Sequence, residues 1–311
     1  MDRTEAEQGT RIAAIDIGSN TILLLVADVG EDGRVHPVRE VERTTRLGRG
    51  LAKTGHLHPE ALKESLGVID DYLAMSKVLG VDRILIVGTS ALRQADNAGD
   101  LVDSVEHLYG LEIRIISGLE EARLSFLAVD KEMGRGAPIL VIDIGGGSVE
   151  FVLGEGGRIS HLESLHLGAV ALTETFLLSN PVSQEEFRQM TDHIASNLRR
   201  LTFTPPEDVV CLGGTATTLA AVRVGARGFD PSLLHGSLLS YREVARQVSL
   251  YRMMTREGRL GIPGLPEERA DIILAGAAIL LEAMRFLGFA SFKVSCHGLR
   301  YGLVYAILQG H

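Results

Sequence analysis

Asp143 and Glu150 flank the run Gly145-Gly146-Gly147-Ser148 inside an otherwise apolar stretch, Ile139 to Leu153. A carboxylate within an apolar strand is costly unless it is paired or binds a metal. Gly and Ser tolerate the backbone angles of a tight turn, and such a turn presents several N–H donors together. Amide donors beside two hard oxygen ligands suit a phosphate group and its Mg2+ or Mn2+ ion. Glu150 on an exposed strand face is the competing reading, and the metal reading is preferred. The two carboxylates are expected on opposite strands of one hairpin, close enough to share an ion.

The same pattern occurs earlier in the chain. Ile12 to Thr21 is echoed 127 residues later by Ile139 to Ser148, with Asp16 in the place of Asp143 and Gly18-Ser19-Asn20 in the place of the glycine turn. Each copy continues into a second apolar run and then a bend, Gly33-Arg34 and Gly157-Arg158. Leu23 stands where the second copy has Glu150, so the acid pair belongs to one copy only. A single Asp-x-Gly hairpin is a weak signal. Two in one register imply a duplicated fold with two phosphate loops facing each other.

Three further groups could do chemistry. Ser117-Gly118-Leu119-Glu120-Glu121 opens a helix after a strand, and Ser117 with Glu120 fits a capping box. Glu121 is left over. It could orient or deprotonate an attacking water, its proton affinity raised by Glu120, Asp143 and Glu150, or it could simply favour the helix dipole. Both readings stand. Arg93, expected in a first helical turn, opposes the dipole unless an anion binds there; an exposed Arg at small cost is the plain alternative. Gly213-Gly214-Thr215, between a strand and a helix, is a third candidate phosphate or nucleotide loop. His235-Gly236 and His297-Gly298 read as turn residues rather than ligands.

These groups need a scaffold, and the chain of 311 residues is long enough for two cores. Strand-like and helix-like runs alternate throughout, the α/β pattern. Helices are expected over Glu60–Leu79, Leu119–Val129, Glu185–Leu201 and Glu267–Leu287, the last closed by Gly288. Lys131 to Pro138 is the best domain junction. Residues 1–10 carry Asp2, Glu5 and Glu7 without an apolar core, unlike a signal peptide. The longest apolar stretch, Ile272–Leu281, spans 10 residues, too short for a membrane. The two cysteines, Cys211 and Cys296, point to a reducing cytoplasm, and cannot by themselves build a zinc or iron–sulfur site. A net charge of −9 argues against nucleic acid as a partner. Basic residues nevertheless concentrate in Arg39–Lys53 and Arg242–Arg259, which read either as solvated faces or as tracks for a polyanion.

Taken in order, AAIDIGSNT, TSALRQA, IISGLEEARL, VIDIGGGSVE, LGGTATTLAA, ERADIILAGA and GLRYG resemble the exopolyphosphatase / guanosine pentaphosphate phosphohydrolase (Ppx/GppA) family, within the actin–sugar kinase–Hsp70 superfamily. The resemblance runs from Ile12 to about Leu308 and matches the short, two-domain form. It implies two RNase H-like α/β domains with an interdomain cleft: domain I over residues 1–127, with helix 298–311 packing back on it, and domain II over 128–297. It implies Glu121 as the water-activating glutamate and Arg93 as the substrate arginine. Asp143 and Glu150 become the Mg2+-associated acids, with Gly18-Ser19-Asn20 and Gly145-Gly146-Gly147-Ser148 as the phosphate loops. Gly213-Gly214-Thr215 matches the nucleotide-contacting segment of actin-like relatives. The ERAD and C-terminal helices carry no implied catalytic role, and Cys296-His297 departs from the family pattern. The implied reaction is removal of terminal orthophosphate from inorganic polyphosphate, in the cytoplasm, with a homodimer as one allowed assembly. Guanosine pentaphosphate hydrolysis is the alternative within the family. An actin-like ATP-binding switch or a sugar kinase is the alternative from another class.

Overall fold

The computed structural model describes residues 9–30, 33–228 and 230–308. The acidic stretch at residues 1–8 and the last three residues of the expected C-terminal helix lie outside the described residues. The chain divides into two compact units, Met1–Ala128 with Leu299–His311, and Val129–Gly298. It passes from the first to the second within a helix, a few residues before the polar Lys131–Pro138 segment.

The first unit contains strands β1 (Thr10–Ile17), β2 (Thr21–Val29) and β3 (Val35–Thr44), then helices α1 (Leu51–Thr54) and α2 (Pro59–Val78). β4 (Arg83–Gly88), α3 (Ser90–Gln94), α4 (Gly99–Tyr109) and β5 (Ile113–Ile115) follow, before α5 (Gly118–Met133). The sheet order is β3-β2-β1-β4-β5, with β1, β2 and β3 antiparallel and β4 and β5 parallel to β1. Strand alternation sends Ala13, Ile15 and Ile17 to one core with α2 and α4, and Ile12 and Ala14 to another with α5. Both faces of β1 are therefore buried, which explains its nearly unbroken apolar sequence.

The final helix, α13 (Leu299–Leu308), returns to this second core. In it Arg300, 8% exposed, donates from Nη1 to Leu24 O at 3.0 Å and pairs through Nη2 with Glu40 at 3.2 Å. Tyr301 donates its hydroxyl to the same carboxylate at 3.1 Å. A Cβ on Gly302 would strike the Leu124 backbone. Leu299 to Gly302 of the Gly-Leu-Arg-Tyr-Gly segment thus have a packing explanation inside the first unit.

The second unit repeats the plan. β6 (Ile139–Ile144), β7 (Val149–Glu155) and β8 (Arg158–Leu165) lead to α6 (Ala169–Phe176), α7 (Gln184–Leu198) and β9 (Asp208–Leu212). α8 (Gly213–Val224), α9 (Pro231–Leu234), β10 (Leu238–Ser240), α10 (Tyr241–Met253) and α11 (Arg256–Arg259) come next. A 3-10 turn at Glu267–Arg269, α12 (Ile273–Leu287), β11 (Ser291–Val294) and α13 (Leu299–Leu308) complete the described chain. The sheet order is β10-β11-β9-β6-β7-β8. Apart from the extra edge strand β10, this is the arrangement of the first sheet, three antiparallel strands and then two parallel ones. Both units have the RNase H-like α/β topology.

One helix differs from expectation. The helix expected over Glu267–Leu287 begins only at Ile273, because Glu267–Arg269 form a 3-10 turn and Arg259 Nη1 bonds the Ala270 carbonyl at 3.1 Å. Gly288 does close it, with φ +81 and its N–H on Met284 O at 2.9 Å. The basic segment Arg242–Arg259 is divided between α10, which ends at Met253, and the short α11, which Thr255 caps. Among the described residues, no helix is long and apolar enough to cross a membrane.

Candidate active site

Both glycine-bearing hairpins form, and they close in the same way. Gly18 N donates to Thr21 O at 3.0 Å, and Gly145 N donates to Ser148 O at 2.9 Å. In each unit the segment leaving the third strand is tied to the hairpin tip. Thr45 N and Arg46 N donate to Asn20 O at 3.1 and 2.9 Å, and Gly48 N to Ser19 O at 2.7 Å. In the second unit Ala169 N donates to Gly145 O at 3.0 Å, while Val170 N and Ala171 N reach Gly146 O at 2.9 and 3.2 Å. These straps need close approach, since a Cβ on Gly168 would run into the Gly146–Gly147 backbone and one on Gly48 into Ser19. Ser19, Asn20 and Ser148 are buried, and Asn20 Nδ2 donates to Thr21 Oγ1 at 3.2 Å.

The strap of the first loop holds Arg46 at φ +50, in the left-handed region. A bulky non-glycine residue rarely sits there, and doing so costs roughly 1–2 kcal/mol. Its basic side chain was visible in the sequence, but its anchoring to the loop was not.

Asp143 and Glu150 are directly opposed across β6 and β7, as Asp16 and Leu23 are across β1 and β2. Opposed residues of an antiparallel pair bring their Cβ atoms within roughly 4.5–5.5 Å. Glu150 is 1% exposed, and Ser164 Oγ donates to its Oε1 at 2.8 Å. Gly213, at φ +87, turns the chain from β9 into α8 where any Cβ would meet Ile144 O and the Asp143 carboxylate. Burial, and then the charge of Asp143, push the Cys211 thiol well above its ordinary range. Two opposed carboxylates, with a backbone turn in place of a side chain beside one of them, fit a hard divalent cation such as Mg2+.

Gly214 and Thr215 bring in a residue that sequence reasoning had left without a role. The Arg269 guanidinium lies against Gly214, in the space that a Cβ there would take. Thr215 packs on Gly276 of α12 in the same manner. The helix N-terminus expected at this loop therefore carries an arginine across its first turn. The ERAD motif contained that arginine, but nothing in its spacing linked it to a glycine 55 positions earlier.

In the first unit, Thr89 N and Oγ1 both donate to Ile17 O, at 3.1 and 3.2 Å, which fixes α3 to the residue before Gly18. Arg93 corrects one expectation. α3 is five residues long and Arg93 lies in its last turn, so there is no opposing macrodipole for an anion to relieve. Its Nη1 instead meets Glu121 Oε2 at 3.1 Å and Ile116 O at 2.7 Å. Glu121 therefore has a cation as neighbour within its unit. Ser117 caps α5 by accepting from Glu120 N at 3.1 Å, while the Glu120 carboxylate pairs with Arg114 at 3.0 Å.

The two basic segments fare differently. Arg39, Arg43 and Arg49 are exposed on or just beyond edge strand β3. In the second segment Arg246 makes a bidentate pair with Glu243, and Arg252 lies 5.0 Å over the Phe187 ring. Arg259 is 3% exposed and bonds the carbonyls of Tyr251 and Ala270. Three of the five arginines are thus engaged in holding the unit together, and a continuous track along this segment is not present. His235 and His297 do lie at element ends, as expected, but their rings also stack with centroids 4.5 Å apart.

A family model described as the Ppx/GppA phosphatase family matches residues 25–311. Exopolyphosphatase 2 of Mycobacterium tuberculosis is 33% identical over 317 aligned residues, covering 96% of this chain and 98% of that protein. Among solved structures, the Aquifex aeolicus Ppx/GppA family member has a TM-score of 0.83 at 32% identity, covering 97% of this chain and 99% of that one. An exopolyphosphatase from Cytophaga hutchinsonii reaches a TM-score of 0.89 at 27% identity, with 97% and 98% covered. Because the family match runs from within β2 over the second hairpin, both straps and the Arg93–Glu121 pair, more than nine-tenths of the chain, the chain belongs to the Ppx/GppA phosphatase family.

Proposed function

We propose that this protein is an exopolyphosphatase, which hydrolyses the terminal phosphoanhydride of inorganic polyphosphate and releases orthophosphate. The observation that carries the reading is the end-to-end likeness to Exopolyphosphatase 2, at 33% identity over 96% of the chain. We take the domains to be residues 1–127 with 298–311, and 128–297. The two cysteines, Cys211 and Cys296, are buried, which fits a reducing cytoplasm.

Glu121 accepts a proton from the attacking water, whose oxygen forms the new bond to the terminal phosphorus as the bridging P–O bond breaks. Arg93 has its Nη1 committed to Glu121 and Ile116 O, and turns the rest of its guanidinium to the phosphoryl oxygens. The amides of Gly18-Ser19-Asn20 and of Gly145-Gly146-Gly147-Ser148 bind phosphate oxygens, and Gly213-Gly214-Thr215, with Arg269 over it, holds a further unit of the chain. Mg2+ or Mn2+ held by Asp143 and Glu150 would neutralise charge on the phosphoryl group. Asp143→Asn and Glu150→Gln should each lower the rate and raise the Mg2+ concentration needed for half-maximal phosphate release. An unchanged rate and metal optimum in either variant removes that residue from the metal site.

A further inference from the structure

Glu132 at the end of α5, His235 after α9 and His297 ahead of α13 are far apart in sequence, yet one ligand atom from each lies within 4.8 Å of the others. All three side chains are half-buried. The Glu132 carboxylate meets His297 Nδ1, and the His235 ring lies over that of His297 with the planes 30° apart. An ion pair between Glu132 and a protonated His297 would account for two of the three. It leaves His235 stacked on a cation in a partly desolvated place, with little to gain. A shared cation explains all three residues together.

We propose that Glu132, His235 and His297 form a second metal site, separate from Asp143 and Glu150, for a divalent ion of the zinc class. Two imidazoles and a carboxylate are a donor set that zinc takes, with water completing the tetrahedron. Mg2+ prefers oxygen donors and dehydrates reluctantly, so it competes poorly here. His235 Nδ1 accepts a 3.3 Å hydrogen bond from the Cys296 amide, a long contact that ligation replaces as it fixes the tautomer. Glu132 lies just after the point where the chain enters the second unit and His297 just before the point where it leaves, at Gly298. The ion therefore clips together the two ends of that unit's chain. This site does not depend on the identity of the substrate.

The test uses the full chain, stripped of metal and titrated with Zn2+ by calorimetry and with Co2+ by visible absorption. Wild type should bind one such ion that excess Mg2+ does not displace, and the Asp143→Asn/Glu150→Gln double variant should retain it. His235→Gln and His297→Gln should each weaken it by roughly tenfold or more, with far-UV circular dichroism showing that the metal-free variants are folded. The Co2+ wild type supplies a reading that needs no variant: paramagnetically shifted proton resonances from two imidazole rings. Shifted signals from no imidazole, loss of the ion in the double variant alone, or equal affinity in His235→Gln and wild type would overturn the site and leave an ion pair with a stacked neighbour.

Discussion

Glu121 and Arg93 meet at 3.1 Å in the first unit, and the proposed chemistry gives the carboxylate the proton and the guanidinium the phosphate. Glu121→Gln keeps the shape and a hydrogen bond to Arg93 but cannot take a proton. Turnover of polyphosphate should fall by roughly 10²–10⁴-fold while binding is retained. Near-native phosphate release would mean that Glu121 serves only to hold Arg93. Arg46 offers a second test, because its backbone is held at φ +50 by the first loop. Arg46→Gly removes both the guanidinium and the strain, so thermal stability should change by no more than about 1 kcal/mol. The Michaelis constant for polyphosphate should nevertheless rise. A large drop in melting temperature with an unchanged Michaelis constant would make this arginine structural. Asp143, Glu150 and Glu121 could be singled out from residue type and spacing, since an acid in an apolar strand or beside a satisfied cap is anomalous by itself. The pairing of Arg93 with Glu121 could not, because it joins residues 28 positions apart with no periodic signature. The supposed dipole conflict at Arg93 failed for a related reason: the chain turns extended at Ala95 after a single helical turn.

At the level of elements, each unit ties the exit of its third strand to the tip of its first hairpin. The hairpins themselves were legible, because β-formers flank Gly, Ser and Asn in a repeated register. The straps were not, because they are backbone-to-backbone bonds that leave no side-chain mark beyond a glycine such as Gly168. Gly168→Ala forces a methyl group into the backbone of Gly146 and Gly147. It should destabilise the protein by about 1–3 kcal/mol and displace the second loop, lowering activity well below the loss of folded fraction. Gly9→Ala meets the Val29 backbone instead, at the end of the β1–β2 pair opposite the Gly18–Asn20 turn. Its melting temperature should fall as well, while the specific activity of the folded protein stays near wild type. If the two variants lose activity in the same proportion to stability, the strap does not position the loop.

For the molecule as a whole, a net charge of −9 repels any polyanion, so binding must rely on local positive charge. Composition announced that imbalance and the two basic segments, but burial decides between them. Arg259 is 3% exposed and cannot meet a polymer, whereas Arg43 and Arg49 are exposed. Neutralising Arg43 and Arg49 together should raise the Michaelis constant for long polyphosphate and leave that for short chains nearly unchanged. Long-chain binding should also weaken steeply with added salt, since counterions condensed on the polymer are released on binding. Equal losses on long and short chains would show that these arginines do not contact the polymer. The central claim is the substrate. Initial rates of phosphate release with Mg2+, measured side by side on long polyphosphate, guanosine pentaphosphate and ATP, test it most directly. The account predicts the highest kcat/KM on polyphosphate, lowered in Glu121→Gln by the same roughly 10²–10⁴-fold; a clear preference for guanosine pentaphosphate or ATP would contradict it.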